Sequence, residues 1–178
     1  MVKTLIGTVP IYVLNTKDDD LFSRASFPSA FRTDTIEKVV ARKYKLTIYT
    51  PTGEELIDRN ILDEFLNDRY KEGRCIVVID ELSQVTMPGR DGVGFVNLLS
   101  RGRSRYCSVI MGTQRPAHVS RLPFSESQAF YVFRLNDRKD RLRVGEFTHP
   151  HIGEVMPERF CFWYYRTDFE EPYMMTPI

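Results

Sequence analysis

Cys75-Ile76-Val77-Val78-Ile79-Asp80-Glu81 is an apolar run that ends in two adjacent carboxylates. An apolar stretch this short, rich in β-branched residues and without alternation, reads as a strand buried on both faces, as in parallel sheets covered from both sides. Such sheets present ligands at the carboxyl ends of their strands, where Asp80 and Glu81 fall. Working back from this strand, a helix is predicted from about residue 58 to residue 71, with Ile61, Leu62, Phe65 and Leu66 at helical spacing and Gly73 closing it. Before that lie a strand at Lys45 to Tyr49 stopped by Pro51, a short helix at Thr35 to Lys43 behind an Asp34 cap, and a buried strand at Val9 to Asn15. Working forward, Phe95 to Arg103 reads as helix and Cys107 to Gly112 as strand. Ala129 to Leu135 and Phe160 to Tyr165 are further strands, the last antiparallel at an edge or in a small C-terminal ribbon. Strands alternating with helix-length segments predict an α/β fold with a mainly parallel sheet.

The chain has 178 residues, 42% hydrophobic and 28% charged, which excludes a disordered chain and predicts one domain with short elaborations. It contains no apolar run long enough for a membrane span and no basic-then-apolar leader, so a cytoplasmic location without membrane association is expected. A net charge of +1 gives no support to nucleic-acid binding, but the distribution is uneven: residues 101–121 hold five arginines and no acid. A second cluster, Arg134, Arg138, Lys139, Arg141 and Arg143, reads as a solvated helix face as readily as a DNA contact. Cys75, Cys107 and Cys161 are odd in number and set in apolar surroundings, so they read as reduced core residues. His118, His149 and His151 lack metal-ligand spacing, and no metal is assigned to them.

Two acids at a strand end match the needs of nucleotide hydrolysis. The first can fix the hydration shell of Mg²⁺, which keeps most of its waters, and the second can orient and polarise the attacking water. The plainer reading is that Asp80-Glu81 caps the next helix. A second segment adds weight: Leu98-Leu99-Ser100-Arg101-Gly102-Arg103 precedes the 107–112 strand, which ends in Thr113-Gln114-Arg115-Pro116. Next to the carboxylate strand, Gln114 can sense a γ-phosphate through its amide. Arg101 and Arg103 can supply charge to a phosphoryl transition state in a neighbouring subunit. Their plainer readings are a loop amide and a solvated helix end.

The order Ile79-Asp80-Glu81, Arg101-Gly102-Arg103, Thr113-Gln114-Arg115-Pro116 resembles the FtsK–HerA superfamily of DNA-pumping ATPases, particularly the small packaging-type ATPases of phages and mobile elements. Tyr12-Val13-Leu14-Asn15-Thr16-Lys17 is similar to the family's second strand, Phe133-Arg134-Leu135-Asn136-Asp137 to the segment after its Gln-Arg-Pro motif, and Phe162-Trp163-Tyr164-Tyr165 to its closing aromatic strand. The resemblance spans nearly the whole chain. It implies a RecA-like domain of the additional-strand, catalytic-glutamate type over residues 1–178, with a parallel sheet sandwiched by helices and an antiparallel C-terminal edge. By the same resemblance Asp80 supports Mg²⁺ through water, Glu81 positions the attacking water, and Asp80, Thr113 and Gln114 contact ATP. Arg101 or Arg103 reaches the adjacent subunit's site. The implied partners are double-stranded DNA held non-specifically through its phosphates, further copies of the chain in a hexameric or pentameric ring, and, as a further candidate, a viral portal or capsid vertex. The implied location is the host cytoplasm or the packaging vertex of a virion.

One departure stands out. No Gly-x-x-x-x-Gly-Lys-Ser/Thr occurs in the 178 residues, although a phosphate-cradling loop needs those amides and that lysine. Lys3-Thr4 is the nearest match and lacks the preceding glycines. Gly89, Gly92 and Gly94 are not followed by Gly-Lys-Ser/Thr and read as part of a mobile loop, structural sooner than phosphate-binding and a candidate to face the pore. Two explanations stay open: the sequence is a piece of a longer ATPase without its Walker A strand, loop and helix, or it belongs to a divergent relative. The corresponding functional alternatives to a packaging motor are a catalytically silent structural or DNA-binding subunit and a phage-assembly ATPase like the zonula-occludens-toxin family.

Overall fold

The computed structural model describes residues 7, 9–18 and 20–176; Lys3-Thr4 lies outside them. The chain divides into two compact units, Met1–Thr113 and Gln114–Ile178.

The first unit is built on a five-stranded sheet. Its strands are β1 (Ile11–Leu14), β2 (Phe31–Thr33), β3 (Leu46–Tyr49), β4 (Ile76–Ile79) and β5 (Ser108–Met111), in the spatial order β2-β3-β1-β4-β5. Every pairing is parallel. β1, β3 and β4 are buried along their whole length; β1 and β4 are unbroken apolar runs, and β3 carries the buried Thr47. Alternate residues point to opposite faces. Ile11, Val13, Leu46, Ile48, Ile76 and Val78 form one core layer with Phe22 and Phe27 from the segment after β1. Tyr12 and Tyr49 face the other way, where α2 (Arg59–Glu72) packs, with Phe65 5.3 Å from the Tyr49 ring. Leu62, Phe65 and Leu66 recur at helical spacing and are at most 1% exposed, each contributing roughly 1.5–3 kcal/mol of burial. Asp58 caps this helix by accepting from the Asn60 N–H, and Gly73 ends it with φ 66°. A short helix α1 (Gly53–Ile57) precedes it.

Beyond β4 come α3 (Leu82–Val85) and α4 (Val93–Arg101), then a 3₁₀ turn over Gly102–Arg105 that leads into β5. Gly92, the N-cap of α4, and Gly94 in its first turn serve packing, whereas Gly89 stands at φ 77° with open space beside it. A Cβ on Gly94 would sit 2.2 Å from the Asp63 carbonyl oxygen, so a glycine there lets α4 press onto α2. The Asp63 carboxylate accepts from the Gly94 and Phe95 N–H groups and so satisfies the first turn of α4.

The segment expected as a helix at Thr35 to Lys43 is not one. It forms a single 3₁₀ turn at Ile36–Lys38, because the chain turns left-handed at Arg42 (φ 55°) and the Arg42 N–H donates to Tyr12 Oη at 2.7 Å in place of a helical carbonyl. Tyr12 Oη in turn donates to Glu72 Oε1 at 2.7 Å. Arg69, 4% exposed, lies over the Tyr12 ring at 4.4 Å and 3.0 Å from Glu72, off hydrogen-bond geometry, so that contact is electrostatic.

The second unit holds α5 (Leu122–Glu126), α6 (Arg138–Gly145), α7 (Pro150–Glu154) and an antiparallel sheet of β6 (Ala129–Val132), β7 (Phe162–Arg166) and β8 (Tyr173–Met175). The aromatic strand at β7 is therefore antiparallel, as expected from sequence. Two members of the second basic cluster are structural: Arg141 donates to the carbonyls of Leu135 and Asn136, and Arg143 stacks on Phe124 and Phe147, while Arg134, Arg138 and Lys139 are exposed.

Candidate active site

The register Leu14↔Ile79↔Met111 brings the carboxyl ends of β1, β4 and β5 side by side on one edge of the sheet. Past these ends the backbones stay joined: Asp80 N–H donates to Leu14 O, Gly112 N–H to Ile79 O, and Leu82 N–H to Gly112 O at 2.8 Å. A Cβ on Gly112 would meet Asp80 O at 2.9 Å, so glycine permits this close approach and sets Thr113 against the acid pair.

Asp80 is held by the turn after β1. Its Oδ1 accepts from Thr16 N–H at 2.9 Å and Thr16 Oγ1 at 2.8 Å, and its Oδ2 accepts from Lys17 N–H at 3.1 Å. Glu81, 3% exposed, is more deeply buried. Its Oε1 accepts from Thr113 Oγ1 at 2.6 Å, from Ser83 Oγ at 3.0 Å and from Ser83 N–H at 3.3 Å, and its Oε2 lies 2.5 Å from Lys17 Nζ. Glu81 also caps α3 through Ser83, so the capping reading of this dipeptide is correct for Glu81. It is not sufficient, because a capping acid on a four-residue helix requires neither burial nor a lysine and a threonine converging from two other strands.

These groups suit a magnesium-bound nucleotide. A carboxylate offers about four lone-pair directions, so the three donors on Asp80 leave it capacity to accept from a water of a bound ion. The donors at this edge are hard oxygens, the type Mg²⁺ takes. Among the described residues no group of three or more His, Cys, Asp or Glu could hold a metal ion by itself.

The structure thus brings Asp80, Glu81 and Thr113 together within the first unit. Gln114 follows Thr113 and opens the second unit, where its neighbour Arg115 pairs with the buried Asp140 (3.2 Å) and with Asp137 (3.4 Å). Arg101 and Arg103 are not gathered with the acids. They lie before β5, in the turn whose Arg105 carbonyl accepts from Arg74 N–H ahead of β4, and so mark the opposite end of the sheet. A four-residue strand separates the two ends by about 13 Å. Sequence reasoning assigned no role to Thr16 and Lys17. Their signal was positional: a hydroxyl and an ammonium directly after an apolar strand that neighbours the carboxylate strand.

No family model matches the sequence. The chain is 31% identical over 175 residues to the DNA packaging ATPase P9 of Enterobacteria phage PRD1, covering 93% of this chain and 73% of that protein. Its fold matches the genome packaging NTPase B204 of Sulfolobus turreted icosahedral virus 2. The complex with AMPPCP superposes with a TM-score of 0.77 at 12% identity over 99% of this chain and 87% of that one. The sulfate complex gives 0.76 at 10% identity over 100% and 86%. The mainly parallel sheet, its helices and the antiparallel C-terminal strands are those of a RecA-like ATPase of the additional-strand, catalytic-glutamate type. The chain belongs to the viral DNA-packaging ATPases of the FtsK–HerA superfamily.

Proposed function

We propose that this protein is the ATPase subunit of a viral genome-packaging motor, hydrolysing ATP to ADP and phosphate and using that energy to move double-stranded DNA. The observation that carries the reading is the buried Glu81, set beside Asp80 and held by Thr113 at the carboxyl edge of a parallel sheet in a chain of this family. Asp80, fixed by Thr16 and Lys17, is the acid that would support Mg²⁺ through water. When bound with ATP, the ion offsets charge on the phosphate oxygens. Glu81 orients and polarises the attacking water. Thr113 keeps its carboxylate at a set angle, and Gln114, next along the chain, reads the γ-phosphate.

Arg101 and Arg103, remote from their own subunit's acids, serve the site of an adjacent copy, which requires a ring, a hexamer or a pentamer. DNA is held through its phosphates without reading of bases, so binding weakens steeply with salt. A portal or capsid vertex is the structural partner that such a ring would face. No helix among the described residues is long and apolar enough to cross a membrane.

The deciding experiment is Glu81→Gln in the full-length protein. The change preserves shape and removes the charge that polarises water, so single-turnover hydrolysis is expected to be abolished while ATP binding is retained. Unchanged turnover eliminates Glu81 as the catalytic acid.

A further inference from the structure

Cys75 and Cys107 stand just before β4 and β5, and the parallel register that pairs Ile76 with Ser108 sets them side by side one step earlier. The two approach segments run together here. Arg74 N–H donates to the Arg105 carbonyl at 2.8 Å, Ser108 N–H donates to the Cys75 carbonyl at 3.0 Å, and a Cβ on Gly73 would meet Arg105 O at 2.8 Å. Neighbouring strands lie about 4.8 Å apart, inside the Cα separation of about 4.4–6.8 Å that a disulfide spans. The sulfurs are 4.0 Å apart. Closing them to the bonded distance of about 2.05 Å takes rotation of two small side chains.

The two thiols are unlike. Cys75 is 1% exposed; its S–H donates to Cys107 Sγ and has the Arg69 carbonyl, 3.6 Å from the sulfur, as a second acceptor. Cys107 is partly exposed. Its anionic form is favoured by the Cys75 S–H and by the Arg105 guanidinium, against burial and the Glu72 carboxylate, and the balance lowers its pKa to about 7. The thiolate is the reactive form, so the outer sulfur is the nucleophile and the inner one is held in reserve. An accessible thiolate beside a second thiol that can resolve its oxidation product is the arrangement of redox-sensitive cysteines.

We propose that Cys107 and Cys75 are a modification site, a dithiol couple in which a hydroperoxide oxidises Cys107 and Cys75 then resolves it to a reversible disulfide across the starts of β4 and β5. In the first step the Cys107 thiolate attacks one peroxide oxygen. The O–O bond breaks, leaving a sulfenic acid on Cys107 and a hydroxide that takes up a proton as water. In the second step Cys75 gives up its proton and attacks Cys107 Sγ. The S–O bond breaks, the S–S bond forms, and the departing hydroxide leaves with that proton as a second water. Two electrons pass from the sulfur pair to the peroxide. The bridge also acts on the turn before β5, because Cys107 N–H donates to Gly102 O at 2.9 Å and a Cβ on Gly102 would meet the Cys107 Cβ at 3.2 Å. Oxidation therefore ties the Gly102–Arg105 turn covalently to the start of β4. It does so at the edge of the sheet opposite Asp80 and Glu81, so the couple neither uses nor blocks the acid pair.

The test treats full-length protein at neutral pH with a small excess of hydrogen peroxide, blocks the remaining thiols with iodoacetamide and maps the peptides by mass spectrometry. Trypsin cuts after Arg74 and Arg105 and so places the two cysteines on separate peptides. In the wild-type protein these two peptides are expected to be joined within one chain and released by dithiothreitol, while Cys161, buried in the second unit, stays reduced. In Cys75→Ser the bridge is expected to be lost and Cys107 to stop as a sulfenic acid, captured by dimedone. In Cys107→Ser, Cys75 is expected to remain a free thiol at the dose that bridges the wild type. The wild-type arm needs no variant to fold. Both cysteines still alkylated after peroxide, Cys107 carried to sulfinic acid without a bridge, or a bridge that joins two chains or includes Cys161 overturns the couple. Dimedone capture on Cys75 in place of Cys107 overturns the assigned order of attack.

Discussion

The Thr113 hydroxyl donates to Glu81 Oε1 at 2.6 Å and so ties the end of β5 to the end of β4. Residues 32 positions apart are thereby locked into one site, and Gly112 is what allows the two backbones to come so close.

If this bond orients the catalytic carboxylate, Thr113→Val keeps the side-chain shape and loses only the donor. A hydrogen bond to a charged group is worth about 1.5–3 kcal/mol, so kcat is expected to fall by about 10- to 100-fold. Nucleotide affinity should change little. Steady-state turnover together with equilibrium titration of an ATP analogue decides it, and a loss confined to affinity would assign Thr113 to binding alone.

Arg101 and Arg103 stand at the amino-terminal end of β5, across the sheet from Asp80 and Glu81. Replacing the trans-acting one with Ala is expected to lower turnover by ~10³-fold or more while ATP still binds. Mixing that variant with Glu81→Gln subunits should restore part of the activity, since some interfaces then pair an intact acid with an intact arginine. With subunit exchange verified, a mixing series that never regains turnover rejects the trans assignment.

Tyr12 Oη, fully buried, donates to Glu72 and accepts from the Arg42 N–H. Tyr12→Phe removes one partner from each, Glu72 keeping Arg69 and Arg42 beside it, and should destabilise the fold by about 1–3 kcal/mol in a denaturant titration. Burial pushes the Tyr12 hydroxyl up to about 12, with the neighbouring Glu72 adding to the rise and the Arg42 N–H opposing it. Between an unfolded value near 10 and this folded value, the unfolded chain has lost a proton that the folded chain still holds. The stabilisation is therefore complete below pH ~10 and is lost as pH climbs toward ~12. Tyr49, also raised by burial, acts in the same direction. The alkaline decline in stability should accordingly be shallower, and still present, in Tyr12→Phe.

Cys75 and Cys107 precede β4 and β5, and their sulfurs lie 4.0 Å apart with Cys75 donating. That S–H bond favours the Cys107 thiolate and lowers its pKa from 9.0 to about 7, whereas the same bond and burial push Cys75 up. Near neutral pH, iodoacetamide should therefore modify Cys107 well before Cys75, with a rate that titrates near 7. Cys75→Ala should move that midpoint back toward the ordinary thiol range. Equal labelling of the two, followed by mass spectrometry of the peptides, would contradict the assignment.

Much of this architecture was legible in one dimension, for identifiable reasons. The run before Asp80 could be read as a strand because a strand buried on both faces needs no polar alternate, and α2 because its apolar residues recur every three or four positions between an acidic cap and a glycine. The family motifs pointed to Asp80, Glu81 and Thr113, and register then placed those residues on one edge. The short strand β2 and the 3₁₀ turn at Ile36–Lys38 escaped, since three residues carry too little pattern and the local helical spacing of Ile36, Val39 and Val40 lost to a hydrogen bond with Tyr12.

Local periodicity and composition determined the parallel α/β class, the helix ahead of β4 and the acids at its end, because these depend on which residues a strand or helix must bury. Only the tertiary structure decided that Lys17 meets Glu81, 64 positions away, that Asp80 is anchored by the turn after β1, and that Arg101 and Arg103 stand on the far edge. Those are consequences of strand order: parallel pairing sends every carboxyl end to one side and every approach turn to the other, and no single stretch of sequence carries the identity of its neighbour.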